Sequence, residues 1–134
     1  MSLFNRAKII DQNFTDFVQS ENFPKSEIDV LKNISTKSDL ISLFESQVLS
    51  RHLDLKARTM KEEGKCFYTI ASSGHEGNSV FGKTFSYKDM AFLHYRSGAF
   101  FIERSKQIAG TTPVYDLALS LTASSDDPIS GGRH

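Results

Sequence analysis

Ala7, Ile10, Phe14, Phe17 and Val18 recur at steps of three and four, so the chain opens with a predicted helix bearing one apolar face. Asn22-Phe23-Pro24 interrupts it, because proline pushes the residue before it out of helical geometry. A short second helix is expected around Ile28 and Leu31, then a polar joint from Asn33 to Ser38. The clearest helical signal follows. Leu40, Leu43, Phe44 and Val48 form a stripe, with Leu55 and Met60 toward the far end. Ser38, or Thr36 with Asp39 three places on, can cap its N-terminus. Gly64, preceded by Lys61 and followed by Lys65, supplies a left-handed stop. About 26 helical residues span roughly 39 Å. A compact body of this chain length is about 36 Å across. Such a helix either crosses the whole domain or offers part of itself to a partner.

Beyond Gly64 the pattern changes. Cys66-Phe67-Tyr68-Thr69-Ile70 is aromatic and β-branched, and short enough to be a strand. Ser72 to Gly77 reads as a loop entering a helix, with Ser73 and Glu76 at capping-box spacing and Val80 and Phe81 opening an apolar face. A second strand is expected over Met90-Ala91-Phe92-Leu93-His94-Tyr95. Phe101, Ile102 and Ser105 predict a helix from Gly98 to Gln107. Thr112-Pro113 starts a last helix, with proline at its first position and Val114, Leu117, Ala118 and Leu121 along one side. Ser124 to His134 is loop sequence. Strands alternating with helices indicate an α/β class in which helices dominate.

Composition narrows the function classes. The 134 residues are 39% hydrophobic, an ordinary globular value that argues against a wholly disordered chain. Sixteen basic and sixteen acidic side chains cancel. A neutral chain lacks the general attraction to phosphate backbones that drives non-specific nucleic-acid binding, and is a poor match for an anionic membrane surface. No apolar run has a spanning length, and the first residues lack a secretory core. The single cysteine, Cys66, excludes an internal disulfide framework and fits a reducing compartment. A cytoplasmic location is expected.

Candidate chemistry is sparse. His75-Glu76 suggests a metal site, yet Ser79 stands where a zincin needs its second histidine, and one cysteine cannot complete a thiolate set. No protein-bound metal is expected. Cys66 lies in an apolar run, where a buried, inert thiol is the simpler reading. Gly74 and Gly77 flank a helix start that could cradle a phosphate, but they match no nucleotide fingerprint. His94-Tyr95-Arg96 closes a predicted strand, the place where ligands of α/β sheets gather. Tyrosine offers a ring and a hydroxyl, and arginine a permanent forked cation suited to phosphate.

Over residues 38–134 these segments resemble the alpha part of the thiamine diphosphate-dependent first component of 2-oxo acid dehydrogenase complexes, of the pyruvate or branched-chain type. The carriers, in family order, are Glu63-Gly64-Lys65, Phe67-Tyr68, Ser73-Gly74-His75-Glu76-Gly77, Asp89, Tyr95-Arg96, and Asp127-Pro128-Ile129-Ser130-Gly131-Gly132-Arg133. The last is similar to a form found in fused alpha–beta versions. Gly77, His94 and Ser97 depart from the family's alanine, tyrosine and aspartate. The resemblance implies an accessory helical extension over 1–37 and an incomplete, amino-terminal portion of a thiamine diphosphate-binding domain over 38–134. It implies that Tyr95 and Arg96 contact the cofactor and that Arg133 belongs to a loop near the active site. The family's Gly-Asp-Gly segment, which binds magnesium and the diphosphate, does not occur in the chain. The complete enzyme would decarboxylate a 2-oxo acid and pass the acyl group to a lipoyl-bearing acyltransferase, with help from a beta part. The chain alone is expected to hold the cofactor poorly, catalyse nothing and self-associate. The competing expectation is a non-enzymatic helical module that self-associates or docks a partner.

Overall fold

The computed structural model describes residues 5–24, 36–67, 69 and 72–133. The chain divides into two compact units, Met1–Ile34 and Ser35–His134. In the first, α1 (Arg6–Gln19) is started by Asn5, whose side chain accepts a hydrogen bond from the Lys8 amide at 3.2 Å. Its stripe of Ile10, Phe14, Phe17 and Val18 is exposed, and Phe17 meets the Phe23 ring edge-on at 5.4 Å. The helix expected around Ile28 and Leu31 lies outside the described residues.

The second unit is built on α2 (Lys37–Glu62), which has 26 residues. Its start is a full capping box. The Thr36 hydroxyl accepts from the Asp39 amide, while the Asp39 carboxylate accepts from the Thr36 amide at 3.1 Å. Its end is equally defined. Gly64 takes φ +72°, its amide reaches the Lys61 carbonyl at 3.0 Å, and the Lys65 amide reaches the Met60 carbonyl at 2.8 Å. That pair of bonds is a Schellman stop, which needs a residue without a Cβ at the left-handed position.

A 3₁₀ turn (Glu76–Asn78) leads into α3 (Ser79–Thr84), and α4 (Gly98–Ser105) and α5 (Pro113–Leu121) follow. Proline opens α5, where its missing amide costs nothing. Helices α2, α3 and α4 cross closely because the residues between them are small. Ser46, Ser50 and Ala57 of α2, Ser79 and Gly82 of α3, and Ala99 of α4 are all buried. A Cβ on Gly82 would come within 2.5 Å of the Phe100 carbonyl oxygen, so only glycine permits that crossing. The seam is polar as well as small. Glu103 of α4, 2% exposed, accepts from the Ser46 hydroxyl at 2.6 Å and from Ser42 at 3.2 Å, and pairs with the Lys106 ammonium at 3.1 Å. Gln107 closes the other side. Its amide nitrogen donates to the Gly82 and Phe85 carbonyls, and its oxygen accepts from the Tyr87 amide.

The molecule is helix-dominated, and no strand occurs among the described residues. The strand expected over 90–95 is therefore corrected. Residues 90–94 run without helix, turn or bend, but they have no ladder partner, and Tyr95 already belongs to a turn. β-rich composition marks a segment that fits a sheet; it does not supply the neighbour that makes one. Of the strand expected over 66–70, Cys66 and Phe67 are bends, and Tyr68 and Ile70 lie outside the described residues. The box expected between Ser73 and Glu76 is also replaced. Arg51 of α2 takes the Ser73 hydroxyl, and no side chain caps the 3₁₀ turn. Among the described residues no helix is long and apolar enough to cross a membrane.

Candidate functional site

The His94-Tyr95-Arg96 segment owes its shape to its own side chains. The Ser97 amide closes a turn onto the His94 carbonyl at 2.9 Å, and the His94 amide donates to the Ser97 hydroxyl at 3.3 Å. The Arg96 amide donates to Nδ1 of His94 at 3.0 Å. Ser97 thus stands where the resembled family has aspartate and does its work by fastening the turn. Tyr95, 65% exposed, faces outward, and the half-buried Arg96 places its guanidinium 5.3 Å from the Tyr95 ring centre. That distance is within cation–π range and pre-orders the pair.

Three rings continue the line. His94 meets Tyr95 edge-on at 5.7 Å, and His75, from the loop before the 3₁₀ turn, meets His94 at the same separation. His75 and Glu76 turn to different partners. The Glu76 carboxylate accepts from the Gly74 amide at 2.8 Å and lies 3.5 Å from Arg51. Among the described residues, no group of three or more His, Cys, Asp or Glu side chains is placed to hold a metal.

Tyr95 also lines a cavity of about 240 Å³ between the second half of α2 and α5. Leu53, Ala57, Met60, Leu117 and Leu121 supply its apolar walls. Its charged edge is made of Lys56, Arg58 and Asp54. The Asp54 carboxylate accepts from the Ser72 amide at 2.6 Å and the Ser72 hydroxyl at 3.2 Å. Burial pushes the Asp54 carboxyl above its usual value, against the pull of those bonds and of Arg51 and Arg58. Sequence reasoning missed Arg51 and Asp54. Their signal was present, since positions three apart on a helix share a face, here the one turned to the serine-rich loop.

Arg133 is not brought to this site. It is exposed, its Nε donates to the Ser130 carbonyl of its own loop at 3.2 Å, and it is not part of the cavity wall. That loop is pinned by the buried Asp127, which accepts from the Ile129 and Ser130 amides at 3.1 and 3.2 Å. Cys66 is buried, with its thiol directed to the Ala57 carbonyl at 3.6 Å. This is the structural role expected of it.

Taken together, the site offers an aromatic face, the Arg96 guanidinium and an apolar hollow whose edge carries Asp54 together with Lys56 and Arg58. It suits one edge of an aromatic, anionic ligand. It does not by itself fit thiamine diphosphate with magnesium, because the described residues hold no cluster of metal-binding side chains. Compared with protein-family models, with curated proteins and with solved structures, the chain matches none.

Proposed function

We propose that the chain is one part of a thiamine diphosphate-dependent 2-oxo acid decarboxylating component, with Tyr95 and Arg96 contributing half of the cofactor contact. The observation that carries this reading is the pair itself. An outward tyrosine ring with a guanidinium stacked on it stands beside an apolar hollow, on a turn held by three local hydrogen bonds. The pair follows the extended run 90–94, which has no ladder partner among the described residues. When bound, the cofactor supplies a carbanion and an electron sink for decarboxylation. The chain's own residues position it. Tyr95 gives a flat apolar face, and Arg96 holds negative charge. Residues outside this chain complete the magnesium and diphosphate site, together with the beta part and the lipoyl acyltransferase. Cys66, unpaired and buried, accords with a cytoplasmic setting.

Magnitudes set the behaviour of the chain alone. One charge-assisted contact contributes about 1.5–3 kcal/mol. Association costs about 4–15 kcal/mol in lost freedom. Binding is therefore weak and catalysis absent until the site is completed. Nuclear magnetic resonance titration with thiamine diphosphate and magnesium, up to about 5 mM, tests this reading. The expected result is a weak shift of the amides at 94–97, lost in Arg96→Ala. A flat titration overturns the cofactor contact, and tight stoichiometric binding overturns the division of the site.

A further inference from the structure

Between two fixed points lies an open length of chain. Asp89 is fastened by its turn with Ser86 and by Arg104, which donates to its carbonyl. His94 is fastened by Ser97. From Met90 to Leu93, no backbone amide or carbonyl has a hydrogen-bond partner among the described residues. The same four residues are apolar and exposed, Met90 at 86% and Phe92 at 92%. An unbent apolar segment with a free row of donors and acceptors is a template for another strand.

We propose that this segment pairs antiparallel with the same segment of a second copy of the chain, across a two-fold axis at Ala91. Two observations favour a copy over another occupant. Pairing about Ala91 sets Met90 of each copy opposite Phe92 of the other, and a thioether against an aromatic ring is a favourable contact. The segment also borders an open hollow of about 290 Å³ formed with Phe81, Phe85 and Phe100, so one surface carries both a ridge and a recess, as a two-fold interface requires. The area is sufficient too. The exposed fractions of Phe81, Phe85, Met90, Phe92 and Leu93 amount to roughly 600 Å² per copy, taking about 200 Å² for each large apolar side chain. Two copies bury about 1,200 Å², the lower bound for specific interfaces. A strand has two edges, so pairing one leaves the other for the residues that complete the cofactor site.

Sedimentation equilibrium from about 1 to about 300 µM, with amide hydrogen exchange at both ends of the range, tests the proposal on the unaltered chain. A concentration-dependent dimer is expected, with exchange at 90–93 slowed about ten-fold or more where the dimer is populated. The double variant Met90→Lys, Phe92→Lys should weaken dimerisation at least about ten-fold, while circular dichroism and the melting temperature stay unchanged at the concentrations where the parent is monomeric. A strict monomer at the highest concentration overturns the proposal. So does a dimer with unprotected amides at 90–93, which assigns the contact to another face. Protection of those amides in a monomer also overturns it, by assigning the edge to the chain itself.

Discussion

The α2–α4 seam and the segment from Tyr87 to Tyr95 divide polarity in opposite ways. At the seam serines, a glycine, an alanine and a carboxylate are buried beside Phe100 and Ile102, and at Gly82 the helices approach until little more than backbone separates them. Along 87–95, Lys88 and Asp89 apart, the side chains are aromatic and aliphatic, and they stand in solvent. Cohesion in the first region comes from close contact and the hydrogen bonds to Glu103, although the buried Ser50 hydroxyl has no partner; in the second it waits on coverage. The fold therefore does not depend on its largest apolar residues. Phe67, Met90, Phe92 and Ile129 are each more than four-fifths exposed, while Ile102 is the largest side chain fully enclosed.

That contrast breaks most sharply at Glu103. Glu103→Ala removes the common acceptor of Ser42, Ser46 and Lys106 and leaves a buried gap. Lys106, a third exposed, keeps Glu45 and Ser42 as partners, but each buried hydroxyl left without its acceptor costs about 1–3 kcal/mol and the gap adds to that, so urea melts should show a large fall in midpoint. Were the loss no greater than for Phe92→Ala, the seam would not be what holds the unit together. A smaller fall, about 1–3 kcal/mol, is expected for Gly82→Ala, because the new methyl meets a backbone oxygen that cannot step aside. The same melts measure it, and an unchanged midpoint would show that the α3–α4 crossing is loose.

The smallest effect is one of pH. The folded Asp54 carboxyl lies above 3.8 because of burial. Its contribution to stability is complete below that unfolded value and is lost as pH rises through the folded one. Asp54→Asn cannot lose it. The melting temperature of the variant minus that of the parent should therefore increase between about pH 4 and about pH 7. A constant difference would show that Asp54 at the cavity's edge is fully solvated.

Local chemistry was legible in the sequence. Thr36 and Asp39, Gly64, and Thr112-Pro113 each act within a few residues, so the bounds of α2 and the start of α5 follow from them. What escaped depends on distant partners. Glu103 answers serines 57 and 61 residues away, and nothing in either segment announces the other. Ser73 and Glu76 had the right spacing for a box, but Arg51 competes for both, and a guanidinium held by a long helix prevails over a turn. The strand at 90–95 had β composition without a ladder. At the candidate site, Tyr95 and Arg96 were found as neighbours in sequence. The hollow beside them, made of α2 and α5, could not be read before the helices were placed.

Cys66 gives the molecule a built-in clock. It is the one thiol in the chain, and it lies beneath the last turns of α2 with its hydrogen directed at Ala57. An alkylating reagent reaches the sulfur readily only when the contact between the Cys66 segment and α2 opens. The rate of its modification thus counts those openings one at a time, without any added label.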